Sequence, residues 1–182
     1  MRAVWKGAFF MIELIKKEIH MNRQRGTAVS QLTLDDDFIV PDALDDAVQI
    51  LLSDGEVQIE NSRIQGEKVL IRGKLVFRVL YRRESGGLQA MGGEIPFEET
   101  VNVPELSERD YTQIVWNIED LNITMIHSRK LSAKAVLTLT VRAESRVDAQ
   151  AAADVETDDV GLQVLKRSVP AATLAVRRKD IY

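Results

Sequence analysis

Cysteine is absent from this 182-residue chain. That excludes disulfide staples and thiolate metal sites, and it suits a reducing compartment. A domain of this size can bury roughly 70% of its unfolded surface and needs no such staple. Histidine is almost as scarce: His20 and His127 are the only two. Neither has a second imidazole at helical spacing, so the sequence offers no metal site, and no catalytic group is assigned to either. Aromatic residues make up 5% of the chain, too few for an obvious stacking platform. A basic excess is also missing: 24 Lys and Arg against 28 Asp and Glu give a net charge of −4, which leaves little drive toward nucleic acid.

Long apolar runs are lacking too. GAFFMI near the N-terminus is cut off by Glu13, and no small-residue cleavage pattern follows it. The run is too short for a bilayer span or an export signal, so direct membrane insertion is not expected. Residues 1–10 read as a disordered leader or a mis-assigned start, with Met11 as the alternative beginning.

What the chain does have is alternation. In KVLIRGKLVFRVLYRR, Val69, Ile71, Leu75, Phe77, Val79 and Tyr81 take the odd positions, and Lys68, Arg72, Lys74, Arg78 and Arg82 the even ones. A period of two puts the apolar set on one face of a strand. The pattern returns in VSQLTL, EVQIE, EIPFEETVNV, QIVWNIE and KLSAKAVLTLTVRA. Asp54-Gly55, Gln65-Gly66, Ser85-Gly86-Gly87 and Gly92-Gly93 supply turn chemistry between them. Several one-sided strands bury their faces by packing sheet on sheet or by curling. The expected fold is therefore all-β, an antiparallel β-sandwich or flattened barrel.

One segment departs from this rhythm. In PDALDDAVQILLSDG, Leu44, Ala47, Val48 and Leu51 fall at i, i+3, i+4 and i+7, with Pro41 and Asp42 suited to a first helical turn. The spacing predicts one short helix over residues 41–53 that plugs an end of the sandwich. Beyond the β domain, assigned to residues 11–143, an Ala- and Asp-rich stretch over 144–161 reads as linker or frayed strand. GLQVLKRSV (161–169) then echoes MIELIKKEI (11–19), which predicts the start of a second repeat, or a terminal strand, over 162–182.

Other chemical candidates reduce to structure. Asp35, Asp36, Asp37, Asp42, Asp45 and Asp46 lack the ligand order of a calcium loop and read as a solvated acidic turn. GGLQAMGG has no following helix or GK[ST] and reads as a hairpin. Glu98 and Glu99 are one outward and one inward strand position, and Trp116 sits on the apolar side with Ile114 and Ile118. No cofactor is implied. The most distinctive surface feature is a basic ladder of Arg72, Lys74, Arg78, Arg82 and Arg83, which reads as a solvated outer face or, alternatively, as a docking strip for an acidic partner protein.

The pieces IELIKKEIHMNRQRGTAVSQLTLDDDFIVPD, GEVQIE, KVLIRGKLVFRVLYR, GEIPFEETV, WNIEDLN and SRKLSAKAVLTL, taken in order, resemble the SPOCS domain. That domain occurs in spore coat assembly proteins of the SipL and SpoVID kind in endospore-forming Firmicutes. The resemblance runs from about Met11 to beyond Val141. It implies a non-enzymatic scaffold with one SPOCS copy here, acting in the mother-cell cytoplasm at the forespore surface. Its implied partners are other coat morphogenetic proteins or further copies of the domain. No LysM-like segment is present in the sequence, so recognition by that module is not implied. A carbohydrate- or peptidoglycan-binding sandwich is the alternative, and it would show an exposed aromatic platform. An enzyme would instead need a pocket joining His20 or His127 to a carboxylate.

Overall fold

The computed structural model describes residues 12–157 and 163–170. Six strands follow one another: β1 (Ile12–Ile39), β2 (Ala47–Gln65), β3 (Lys68–Arg83), β4 (Leu88–Asn102), β5 (Tyr111–His127) and β6 (Lys130–Thr157). They form two antiparallel three-stranded sheets, ordered β1-β6-β5 and β2-β3-β4. The described residues divide into two compact units: residues 24–144, and a smaller unit drawn from residues 12–23, 145–157 and 163–170.

The larger unit is built on its two central strands. On β3, Val69, Ile71, Leu75, Phe77, Val79 and Tyr81 are all fully buried, and so on β6 are Leu131, Ala133, Ala135, Leu137, Leu139 and Val141. These faces belong to one core. Each large side chain moved out of water here contributes about 1.5–3 kcal/mol, which is why the alternation in both strands is so strict. The expected all-β sandwich is what forms.

Two inward glycines let aromatic rings into this layer. Gly73 pairs with Phe97 across β3 and β4. A Cβ at Gly73 would stand 2.8 Å from that ring and 2.6 Å from the Gln58 carbonyl oxygen. Gly93 pairs with Phe77, and Phe38 meets Phe77 edge-on with centroids 4.7 Å apart and planes at 77°. A side chain at Gly93 would overlap both rings. Gly92-Gly93 and Asp54-Gly55, expected as turns, therefore lie inside β4 and β2. Glycine there answers close approach, not chain reversal. True turns form at Gly66, Gly86 and Gly87, each with positive φ.

The helix expected over residues 41–53 does not form: residues 41–46 are a loop and β2 begins at Ala47. Bulges between Ala47 and Gln49 and between Ile50 and Leu52 leave Val48 and Leu51 without partners on β3. Each bulge adds a residue to the strand, so the core-facing positions Ala47, Ile50 and Ser53 recur every three residues. That stretched period imitates a helical stripe. Pro41 starts a tight turn instead, closed by the Leu44 N–H donating to the Pro41 carbonyl at 2.8 Å.

This loop carries the chain from one sheet to the other, and Arg129 fixes it. Its guanidinium donates to the carbonyls of Val40 and Pro41, both at 3.1 Å, and to Asp46 at 2.6 Å and Asp42 at 3.2 Å. The backbone of the β5–β6 turn holds both loop ends, since Val40 N–H donates to the Arg129 carbonyl at 2.9 Å and Ala47 N–H to that of Ser128 at 2.8 Å. A planar group with five donors suits carbonyls that have left the ladder. Three of the remaining four acidic residues are counter-ions in the same way: Asp37 to Lys130 at 2.7 Å, Asp35 to Lys134 at 3.0 Å and Asp45 to Arg83 at 3.4 Å, while Asp36 accepts the Asp37 N–H at 2.8 Å.

In the smaller unit β1 is exposed along Ile12, Leu14 and Ile15, and residues 145–157, expected within a linker, run as the end of β6. His20 Nδ1 lies 2.7 Å from Asp148 and 3.0 Å from Arg146, and Lys166 pairs with Asp154 at 2.6 Å. Residues 163–170 have no regular structure. The leader over 1–10 and the end of the proposed second repeat, 171–182, lie outside the described residues.

Two outcomes follow from this packing. Phe77→Ala, which empties the ring position against Gly93 and Phe38, is expected to cost about 3–5 kcal/mol in urea unfolding with an unchanged fold. Hydrogen bonds from Arg129 and Ser128 hold the Asp46 carboxyl below its ordinary value of 3.8. A lowered native pKa stabilises above the unfolded value, and that share is lost as pH falls through the native one. Asp46→Asn is thus expected to lower the thermal midpoint at neutral pH and to converge on the parent chain in strong acid. Equal midpoints at neutral pH would remove the clamp.

Candidate protein-interaction face

The five residues of the basic ladder do not share one environment. Arg72, Lys74, Arg78 and Arg82 project from the outer face of β3, on the side away from the core. Arg83 turns toward the loop before β2, where it pairs with Asp45. Its Nε is buried without a partner, and its Nη2 lies over Gly87, where any Cβ would stand 2.8 Å away. Arg83 is thus part of the loop's packing and not of the open ladder.

Along β3 the outer face changes character at Val76. Toward residue 68, Arg72 pairs with Glu98 at 2.7 Å, and Lys74 pairs with Glu94 at 2.8 Å and Glu60 at 4.0 Å. The Glu94 hydrogen bond is the main reason the Lys74 pKa is raised. Toward residue 82, Arg78 and Arg82 make no ion pair among the described residues. Asp54 occupies the register position opposite Arg78 on β2 without pairing to it, and Arg82 stands between Gln49 and Leu88.

The unpaired half is also apolar. Leu80 lies between the two arginines and pairs with Leu52 on one side and Ala90 on the other. Leu52 is 63% exposed and Leu88 57%, and the bulged Val48 and Leu51 add to the same end of the sheet. Guanidinium groups without ion pairs beside exposed leucines are chemistry that a protein-docking surface could use, with arginine for orientation and charge and leucine for burial. The leucines were missed from sequence, although Leu70, Val76 and Leu80 hold even positions in the same string as the basic residues.

Other candidates stand as follows. Glu98 faces out to Arg72 while Glu99 turns in to accept from Ser30 Oγ at 2.7 Å, the one-out, one-in arrangement expected. Trp116 is on the core side, opposite Leu139, at an edge that leaves it 37% exposed. Tyr111 lies on the other face of β5, so the two exposed aromatics among the described residues do not form one platform. His127 accepts a backbone hydrogen bond from Arg129 within its turn. Among the described residues no cluster of acidic and histidine side chains is placed to hold a metal ion.

Residues 46–126 match the family model described as SipL, SPOCS domain. No curated protein and no solved structure matches the chain. The matched span is narrower than the resemblance read from Met11 to beyond Val141, and it takes in almost all of β2 to β5, with the whole outer face around Arg78 and Leu80. Over residues 46–126, a little under half of its length, this chain is similar to the SPOCS domain family.

Proposed function

We propose that the domain is an assembly module of the spore envelope, and that it works by docking a partner protein on the outer face of β2-β3-β4. The family match supports a domain of the spore coat assembly type. The observation that carries the docking role is Arg78 and Arg82, without an ion pair on either side of half-buried Leu80 and beside exposed Leu52 and Leu88, on a strand whose Arg72, Lys74 and Arg83 have carboxylate partners. A strongly built core leaves recognition to the surface, and a surface charge without a partner orients an incoming protein of opposite sign. The partner we assign is a coat morphogenetic protein, met on the mother-cell side of the forespore.

The two halves of the ladder provide their own control. In sporulating cells of the source organism, R78E/R82E is expected to reduce copurification of coat proteins with the tagged chain by about tenfold or more. R72E/K74E, which alters side chains already neutralised, is expected to have a smaller effect. Recovery unchanged by a folded R78E/R82E would remove the docking face.

A further inference from the structure

The docking face, taken as proposed above, also selects the kind of element that fits it. Arg78 and Arg82 are four residues apart on one strand, about 13 Å at the usual strand rise. Leu80 and Leu52 form a low apolar ridge between and beside them, while Ala90 and Gly92 on β4 leave the adjoining floor almost bare. A side chain at Gly92 would stand 2.9 Å from the Phe77 carbonyl oxygen, so this floor stays low.

β3 is hydrogen-bonded on both sides, to β2 and to β4, so its backbone has no edge to offer an incoming strand. A lone strand laid on this face would bury its own amides without partners, whereas a helix satisfies its backbone internally. Carboxylates seven or eight residues apart on a helix are separated by about 11–12 Å, within reach of both arginine side chains. Apolar residues at i+3 and i+4 fall on the same helix side and would cover Leu80. The described residues of this chain contain no helix, so a second copy does not supply one from them.

We infer that the face takes an acidic amphipathic helix from a partner protein, its carboxylates on Arg78 and Arg82 and its apolar stripe on Leu52, Leu80 and Leu88. Arg82 is the stronger anchor. Its cross-strand neighbours, Gln49 and Leu88, are uncharged, while Arg78 has the carboxylate of Asp54 opposite.

Three labelled synthetic peptides of about 18 residues test this. The first carries Glu at i and i+7 and Leu at i+3 and i+4; the second has the same composition in strand alternation; the third replaces the two Glu by Lys. The first is expected to bind the full chain with a gain in helical circular dichroism. Its affinity should fall about tenfold or more for Arg82→Glu and less for Arg78→Glu, with both variants keeping the parent's unfolding midpoint. The other two peptides are expected to bind far more weakly. Failure of the first peptide to bind, equal binding of the strand-patterned one, or indifference to Arg82→Glu overturns the helix. If R78E/R82E still loses coat proteins in cells while the first peptide fails, the docking face stands and its occupant is of another class.

Discussion

Burial of two one-sided strands against each other is the constraint on which the larger unit depends. β3 and β6 each place an unbroken row of apolar side chains on one face, and neither row is satisfied unless the two sheets close over them. Closure brings further demands. Phe77, Phe97 and Phe38 are admitted only because Gly73 and Gly93 have no side chains, and the crossing between sheets must place its carbonyls outside any ladder. Arg129 meets that last demand, with acids of the loop around it.

The same constraint separates structural charge from available charge. Arg129, Lys130 and the carboxylates around them near the crossing loop are engaged with one another, and so are Arg72 and Lys74 of β3 with Glu98 and Glu94. Surface ion pairs of this kind contribute little stability singly, but each one removes a cation from the set open to a partner. Arg78 and Arg82 remain without an ion pair on the 76–83 side of β3, set among leucines on three strands. The proposed role in coat assembly rests on this remainder, together with the family match over the strands that build it.

Much of this was legible from the sequence because alternation is a direct image of a half-buried strand. The inward sets of β3 and β6 are the residues that the period picks out. The bulged start of β2 was not legible, since two extra residues within Ala47 to Leu52 convert a period of two into one of three, and the stripe through Leu44, Ala47, Val48 and Leu51 then mimics a helix. Glycines inside β2 and β4 misled for a related reason, because a residue without a side chain signals a turn and a close ring contact equally well. The ladder was legible as a row of charge. Its division was not, because Glu94 and Glu98 reach Lys74 and Arg72 across a register that composition does not reveal.

The central claim is that recognition has been left to one outer face of a sandwich whose interior only packs. A photo-crosslinking residue placed at Leu52, and in a separate chain at Thr138 on the outer side of β6, tests it in sporulating cells. The account predicts a discrete adduct with a coat protein from position 52 and none from position 138. Adducts from 138 alone, or the same adducts from both, would contradict it.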